Sequence, residues 1–192
     1  MIQDIWPKHL DNQYKNLKPG NEDTVFYFQG SSLLARPSGH FKSQSPEENV
    51  LIYPQYSEFV QGIKSSYGDK AVDNFEFIYL LSIDEEHFFL ARKTGSLERG
   101  TFLGEMADSA VHKDMYSFVR GYEFIGVDSF RKAQPREHAY AAITAFHLYG
   151  WYRDNHFCGR CGKPLKHDDK QRMLRCDCCK NMVFPKICPA VI

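Results

Sequence analysis

Cys158, Cys161, Cys176 and Cys179 read C-x2-C-x14-C-x2-C within a chain of 192 residues. Two thiolates three residues apart can grip one face of a tetrahedral metal. A hairpin linker of this length brings the second pair to the opposite face. Gly159 and Gly162 supply permissive backbone for a knuckle whose amides turn inward toward sulfur. The chemistry expected is a structural zinc site, because a closed four-sulfur shell leaves no open position for water or substrate. A thioredoxin-like redox couple needs one such pair and not two matched ones. Reduced cysteines at accidental spacing are the bland alternative. Cys178 and Cys188 fall outside the spacing and are read as spectators.

These thiols need elements to hold them. Pro135 to about Asn155 carries the longest helical signal, with Pro135 suited to the first turn and Glu137 complementing the helix dipole. Ala139, Ile143, Phe146 and Gly150 fall on one face, with Leu148, Trp151 and Tyr152 alongside, so a buried helix runs directly into the first knuckle. His138 and His147 on this helix are read as satisfied or exposed side chains, not ligands. Upstream, residues 24–28 and 33–35 read as strands around a Gly30-Ser31-Ser32 turn, and residues 37–49 as a surface loop. Residues 75–83 and 87–91 form the clearest hairpin, broken by Asp84-Glu85-Glu86, whose carboxylates are expected to be solvated turn residues. A short helix over 108–119 and a strand over 123–127 complete the pattern. The expected class is α+β: an antiparallel-sheet domain over 1–152 whose long last helix leads into a small ribbon over 153–186. Residues 187–192 begin a further apolar strand.

A hydrophobic content of 43% with 15% aromatic residues excludes a disordered chain. Net charge is zero, but residues 153–186 hold nine Lys/Arg against four Asp/Glu. That excess admits a second reading, in which the ribbon is a nucleic-acid-binding module using Arg160, Lys163, Lys166, Arg172, Arg175 and Lys180. Against it, the segment lacks interleaved aromatics for base stacking. A third reading is a dimerisation module without enzyme activity. The chain opens with neither a basic, apolar leader nor a run of 18 apolar residues, so a cytoplasmic protein with no membrane partner is expected.

The stretch from Trp151 to Gly162, the second knuckle, and the segment from Phe184 through Pro185-Lys186-Ile187-Cys188-Pro189 to Ile192 resemble the NADH pyrophosphatase (NAD diphosphatase) family of the Nudix superfamily. The opening residues 1–5, with Asp11-Asn12, are similar to bacterial members. The resemblance implies three parts: a rudimentary Nudix-like N-terminal domain, a four-cysteine zinc ribbon, and a catalytic Nudix domain. It implies cleavage of the pyrophosphate of NADH or NAD to nicotinamide mononucleotide and AMP, with Mg2+ or Mn2+ in the catalytic domain. It also implies homodimers and action on NAD-capped RNA. Cys158, Cys161, Cys176 and Cys179 take the zinc-ligand positions. Phe184 takes a substrate-binding position at the mouth of the nucleotide pocket, where the family often has tyrosine; without the hydroxyl, packing is as good an account of it. The Nudix box, G-x5-E-x7-R-E-U-x-E-E-x-G-U, does not occur in these residues, nor does S-Q-P-W-P-F-P-x-S. No catalytic residue can therefore be assigned, since that box supplies the carboxylates that bind the activating divalent ions.

Overall fold

Residues 77–81 and 88–91 are apolar at every position, which a strand tolerates only when both faces are covered. The computed structural model, which describes residues 5–38, 49–94 and 118–186, shows that cover. A sheet carries β1 (Leu10–Asp11), β2 (Thr24–Gln29), β3 (Ser32–Ser38), β4 (Val50–Ile52), β5 (Phe75–Ile83), β6 (Glu86–Lys93) and β7 (Glu123–Gly126). The strand order is β1-β5-β6-β2-β3-β4, with β7 also paired to β3. The class is α+β, and the pairings are antiparallel except β2 with β6, which run parallel from Thr24↔Phe88 to Tyr27↔Ala91.

Alternation along the strands sends successive side chains to opposite layers. Phe26, Leu33, Ile78, Leu80, Phe88 and Leu90 join one core, under helix α2 (Arg136–Asp154). Val25, Leu34, Tyr79, Phe89 and Ala91 join the other, under helix α1 (Tyr56–Tyr67). One irregularity breaks the alternation. The β5–β6 register shifts between Tyr79 and Leu81, leaving Leu80 as the extra residue of a bulge. Leu81 and Ile83 thereby return to the α2 core, where unbroken alternation would have sent them to the α1 side.

The expected long helix is present, but Pro135 caps it from outside in an extended conformation and does not occupy the first turn. Its buried stripe also differs from the expected face. Ala139, Ala141, Ala142, Ala145, Leu148 and Tyr152 are buried, while Ile143 and Phe146 pack only partly. Small alanines let the axis approach a sheet already filled by Phe26, Phe28 and Phe88; the bulkier side chains go to the flanks. Helix α1 is not among the expected elements. A capping box, with Glu58 accepting the Gln55 N–H at 3.0 Å, and the i, i+4 pair Phe59 and Ile63 encode it. Most of the helix expected over 108–119 lies outside the described residues, as do 39–48 of the expected loop; Pro37 and Ser38 extend β3 instead.

The acidic hairpin tip is not merely solvated. Asp84 accepts the His9 N–H at 2.9 Å and pairs with Lys8 at 3.4 Å, and Glu86 lies 2.6 Å from His138 Nε2. These carboxylates tie the N-terminal segment and the start of α2 to the hairpin, and they give His138 a partner that its own helix does not. No helix of the described residues is long and apolar enough to cross a membrane.

Gly62 marks where α1 meets the chain before β7. A Cβ there would stand 2.7 Å from the Phe118 carbonyl oxygen and 3.0 Å from Val119 Cγ2. Overpacking against backbone costs about 1–3 kcal/mol, against a helix-propensity gain of about 1 kcal/mol for alanine. Gly62→Ala should therefore lower the urea midpoint; an unchanged or raised midpoint would show that this contact is loose.

Candidate metal centre

The ribbon starts where α2 ends. Its sheet holds β8 (Leu165–His167), β9 (Leu174–Cys176) and β10 (Met182–Val183), in the order β10-β9-β8. Each cysteine pair sits in a knuckle of the same backbone design. The Gly162 N–H donates to the Cys158 carbonyl at 2.8 Å, and the Lys180 N–H to the Cys176 carbonyl at 3.0 Å. The knuckles close with Cys158 N–H to Lys163 O at 2.8 Å and Cys176 N–H to Asn181 O at 2.9 Å. Gly162 (φ 69°) and Lys180 (φ 59°), each four residues after its cysteine, carry the left-handed turn. The permissive backbone is thus needed at Gly162 and not at Gly159. Lys180 adopts it without being glycine, its ammonium donating to Asp177 O at 2.8 Å.

The four Sγ atoms lie within 4.8 Å of one another. Cys158 and Cys179 are 3.5 Å apart, and Cys161 and Cys176 are 3.4 Å apart. A tetrahedral zinc with Zn–S near 2.3 Å spaces its sulfurs about 3.8 Å apart, so this donor set fits the ion in number, type and span. Burial opposes ionisation of Cys158, yet the Arg160 and Cys161 amides and the neighbouring thiols hold it down at about 6. The Lys163 amide favours the Cys161 thiolate, but proton sharing with Cys176 and burial push that thiol up to about 12. The Cys179 amide leads in lowering Cys176. For Cys179 itself the Asn181 amide pulls down, and burial with proton sharing to Cys158 wins and raises it. Each close sulfur pair therefore holds one thiol pulled down and one pushed up. Asn181 Nδ2 also donates to Cys158 Sγ at 3.6 Å, linking the knuckles. Cys178 is exposed and outside the cluster, and Cys188 lies outside the described residues.

Among the described residues, Leu174, His167 and Arg172 of the ribbon contact the sheet domain. Leu174 of β9 belongs to the same buried cluster as α2 and β5. His167 Nε2 and the Tyr152 hydroxyl share a 2.7 Å hydrogen bond, and the Arg92 guanidinium lies 4.8 Å over the Tyr152 ring. Arg172 reaches across from the ribbon and donates to the carbonyl of Leu80, the bulge residue. Its Nε is buried without a partner among the described residues.

The basic residues are largely engaged within the chain. Lys166 pairs with Asp177 at 2.6 Å, Arg175 with Asp168 at 3.2 Å, and Arg172 is committed to Leu80. Arg172 is thereby withdrawn from the six-residue set, whereas Lys166 and Arg175 stay exposed in their ion pairs. Phe184, just after β10, is 47% exposed and lies outside the thiol cluster.

Comparison with known proteins agrees with this geometry. Residues 153–184 match the family described as the NADH pyrophosphatase zinc ribbon domain. The chain is 38% identical over 51 residues to the NAD-capped RNA hydrolase NudC of Deinococcus radiodurans, covering 27% of this chain and 18% of that protein. It is 36% identical over 42 residues to the NAD-capped RNA hydrolase NudC of Pseudomonas aeruginosa, covering 22% of this chain and 15% of the relative. The matched region thus spans less than a fifth of each relative's length.

Because Arg172 and Leu174 bind the ribbon to β5, the ribbon should not melt alone. Chelating zinc from the full chain should reduce amide protection at residues 80–83 as well as throughout 153–184. Loss confined to the ribbon would contradict the packing. Arg172→Met should destabilise the zinc-bound chain by about 1–3 kcal/mol, since Leu80 O is left buried without its donor.

His167 gives a pH dependence of defined sign. Burial, opposed by Glu76 and aided by Arg92, lowers its pKa below the ordinary value of 6.5. The unfolded chain therefore takes up this proton first, and the contribution present above about pH 6.5 is lost as pH falls toward the folded value. The thermal midpoint should drop on acidification from pH 7.5, and His167→Gln should show a shallower drop. Parallel profiles for the two proteins would remove His167 from the account.

Proposed function

We propose, from the premise that residues 153–184 are the zinc ribbon of the NADH pyrophosphatase family, that this chain supplies the N-terminal and ribbon portion of an NAD(H) diphosphatase. The observation that carries the reading is the ribbon match coinciding with a four-thiol cluster of zinc dimensions. In this reading Cys158, Cys161, Cys176 and Cys179 bind a structural Zn2+. Residues 1–152 form a Nudix-like domain, 153–186 the ribbon, and 187–192 begin a strand of a catalytic Nudix domain. That domain would bind Mg2+ or Mn2+ and hydrolyse the pyrophosphate of NADH or NAD to nicotinamide mononucleotide and AMP. The names of the curated relatives support NAD-capped RNA as a further substrate of the whole protein. We place the whole protein in the cytoplasm as a homodimer, with Phe184 at the edge of its nucleotide site.

This chain's own residues supply no step at the pyrophosphate. The carboxylates the reaction needs to gather divalent ions are not present as a Nudix box in these 192 residues. What the chain offers is a rigid mount: a metal-clamped ribbon held to a buried sheet, delivering Phe184 and the residues after it.

Two measurements test this reading. The purified chain should bind one zinc, by metal analysis and native mass, and should not release AMP from NADH with Mg2+ or Mn2+. Reading the natural coding frame past Ile192 should show the Nudix box. Magnesium-dependent AMP release by this chain alone, or a frame lacking that box, would overturn the assignment.

A further inference from the structure

The two faces of the ribbon sheet differ in character. Leu165, Leu174 and Val183 pack toward the core under α2, while the residues that alternate with them stay exposed. Register sets Lys166, Arg175 and Met182 side by side in one row across β8, β9 and β10. Pro164, two residues before that row, is bridged by Phe157, and Phe184 follows Met182 by two. All of these therefore share the outer face. Phe157 is 52% exposed, Met182 54% and Phe184 47%. Phe157 and Phe184 stand at opposite corners, with the row of Lys166, Arg175 and Met182 between them. No aromatic residue occurs from Cys158 to Val183, so the Phe157 ring reaches the basic row through folding and not through spacing.

The charges on this face converge. Lys166 pairs with Asp177 at 2.6 Å, the Lys180 ammonium donates to Asp177 O at 2.8 Å, and Arg175 also favours the Asp177 carboxylate. Three cations thus gather around one exposed carboxylate. Asp168, which pairs with Arg175 at 3.2 Å, is only 14% exposed and is held by the N–H groups of Lys170 and Gln171. Water and salt screen an exposed pair such as that of Lys166 and Asp177, so it contributes little, and a phosphate can take the carboxylate's place among the same three donors. An apolar protein surface would cover the rings, but it would also strip water from three cations without bringing them a counter-charge.

We propose that this outer face carries the single-stranded RNA that follows the cap, with phosphates at Lys166, Arg175 and Lys180 and a base stacked on Phe157. The inference rests on the reading above that the whole protein takes NAD-capped RNA. Phe184, assigned there to the edge of the nucleotide site, begins the path, and Phe157 ends it. Three strand spacings of about 4.8 Å separate Phe157 from Met182, so the path crosses about 14 Å of sheet.

The test is fluorescence anisotropy of labelled octaadenylate RNA with the full zinc-bound chain, at several salt concentrations. Affinity should fall steeply with salt, and Lys166→Gln and Lys180→Gln should each reduce the logarithmic salt slope by about 0.7. Phe157→Ala should weaken binding about tenfold and leave that slope unchanged. Asp177→Asn removes the competing carboxylate and should tighten binding, a gain that misfolding cannot produce. Zinc content and thermal midpoint, measured for each variant, separate lost contacts from lost structure. Three results overturn the proposal: no binding of octaadenylate at low salt, an Asp177→Asn chain that binds no tighter, or a loss with Lys132→Gln on the sheet domain equal to that with Lys166→Gln. Binding is read here without hydrolysis, so its failure would remove the RNA path and leave the diphosphatase reading to be decided by the coding frame.

Discussion

A single extra residue in β5 governs how the two halves of this chain meet. The bulge at Leu80 reverses the alternation of its strand, sending Leu81 and Ile83 back into the α2 core and turning the Leu80 carbonyl out of the ladder. A carbonyl left bare beneath a docked module would carry the penalty of an unpaired buried polar group. The Arg172 guanidinium removes that penalty, and the ribbon carrying Arg172 is thereby registered against the sheet. The Tyr152–His167 bond and the burial of Leu174 are further contacts between the ribbon and the sheet domain. The geometry of the thiol cluster is local, but its position relative to the body is set at the bulge.

The division of labour follows from chemistry. A four-sulfur shell around a metal has no vacant position, so its contribution is to rigidity. Within the shell, the amides that face Cys158 and Cys176 favour the thiolate form that a metal ion takes as ligand. The sheet, covered by a helix on each face, is a stable base for that rigid unit. Its large aromatic core, including Phe26, Phe59, Phe88 and Phe89 all fully buried, fills both layers.

The metal centre was the most legible part of the sequence because its information is local. Two C-x2-C pairs and a glycine at the turn specify a knuckle within five residues, and the apolar runs 77–81 and 88–91 about an acidic break specify a hairpin. The features that were not legible depend on residues far apart in the chain. Arg172 meets Leu80 across 92 positions, and His138 meets Glu86 across 52. Neither bond leaves a mark in spacing or composition. The ion pairs that Lys166 and Arg175 form with Asp177 and Asp168 of the same short segment were not legible in its excess of basic residues either. The parallel pairing of β2 with β6 was equally hidden, because a strand buried on both faces reads the same whichever way its neighbour runs.

The two knuckles share one backbone plan, bond for bond, at Cys158 to Gly162 and at Cys176 to Lys180. Fourteen residues separate their inner cysteines, and β8 and β9 zip that span into an antiparallel pair. The entropy of closing the loop is therefore shared between strand pairing and metal ligation. The two knuckles are jaws of one build, and the hairpin between them sets the distance across which they close.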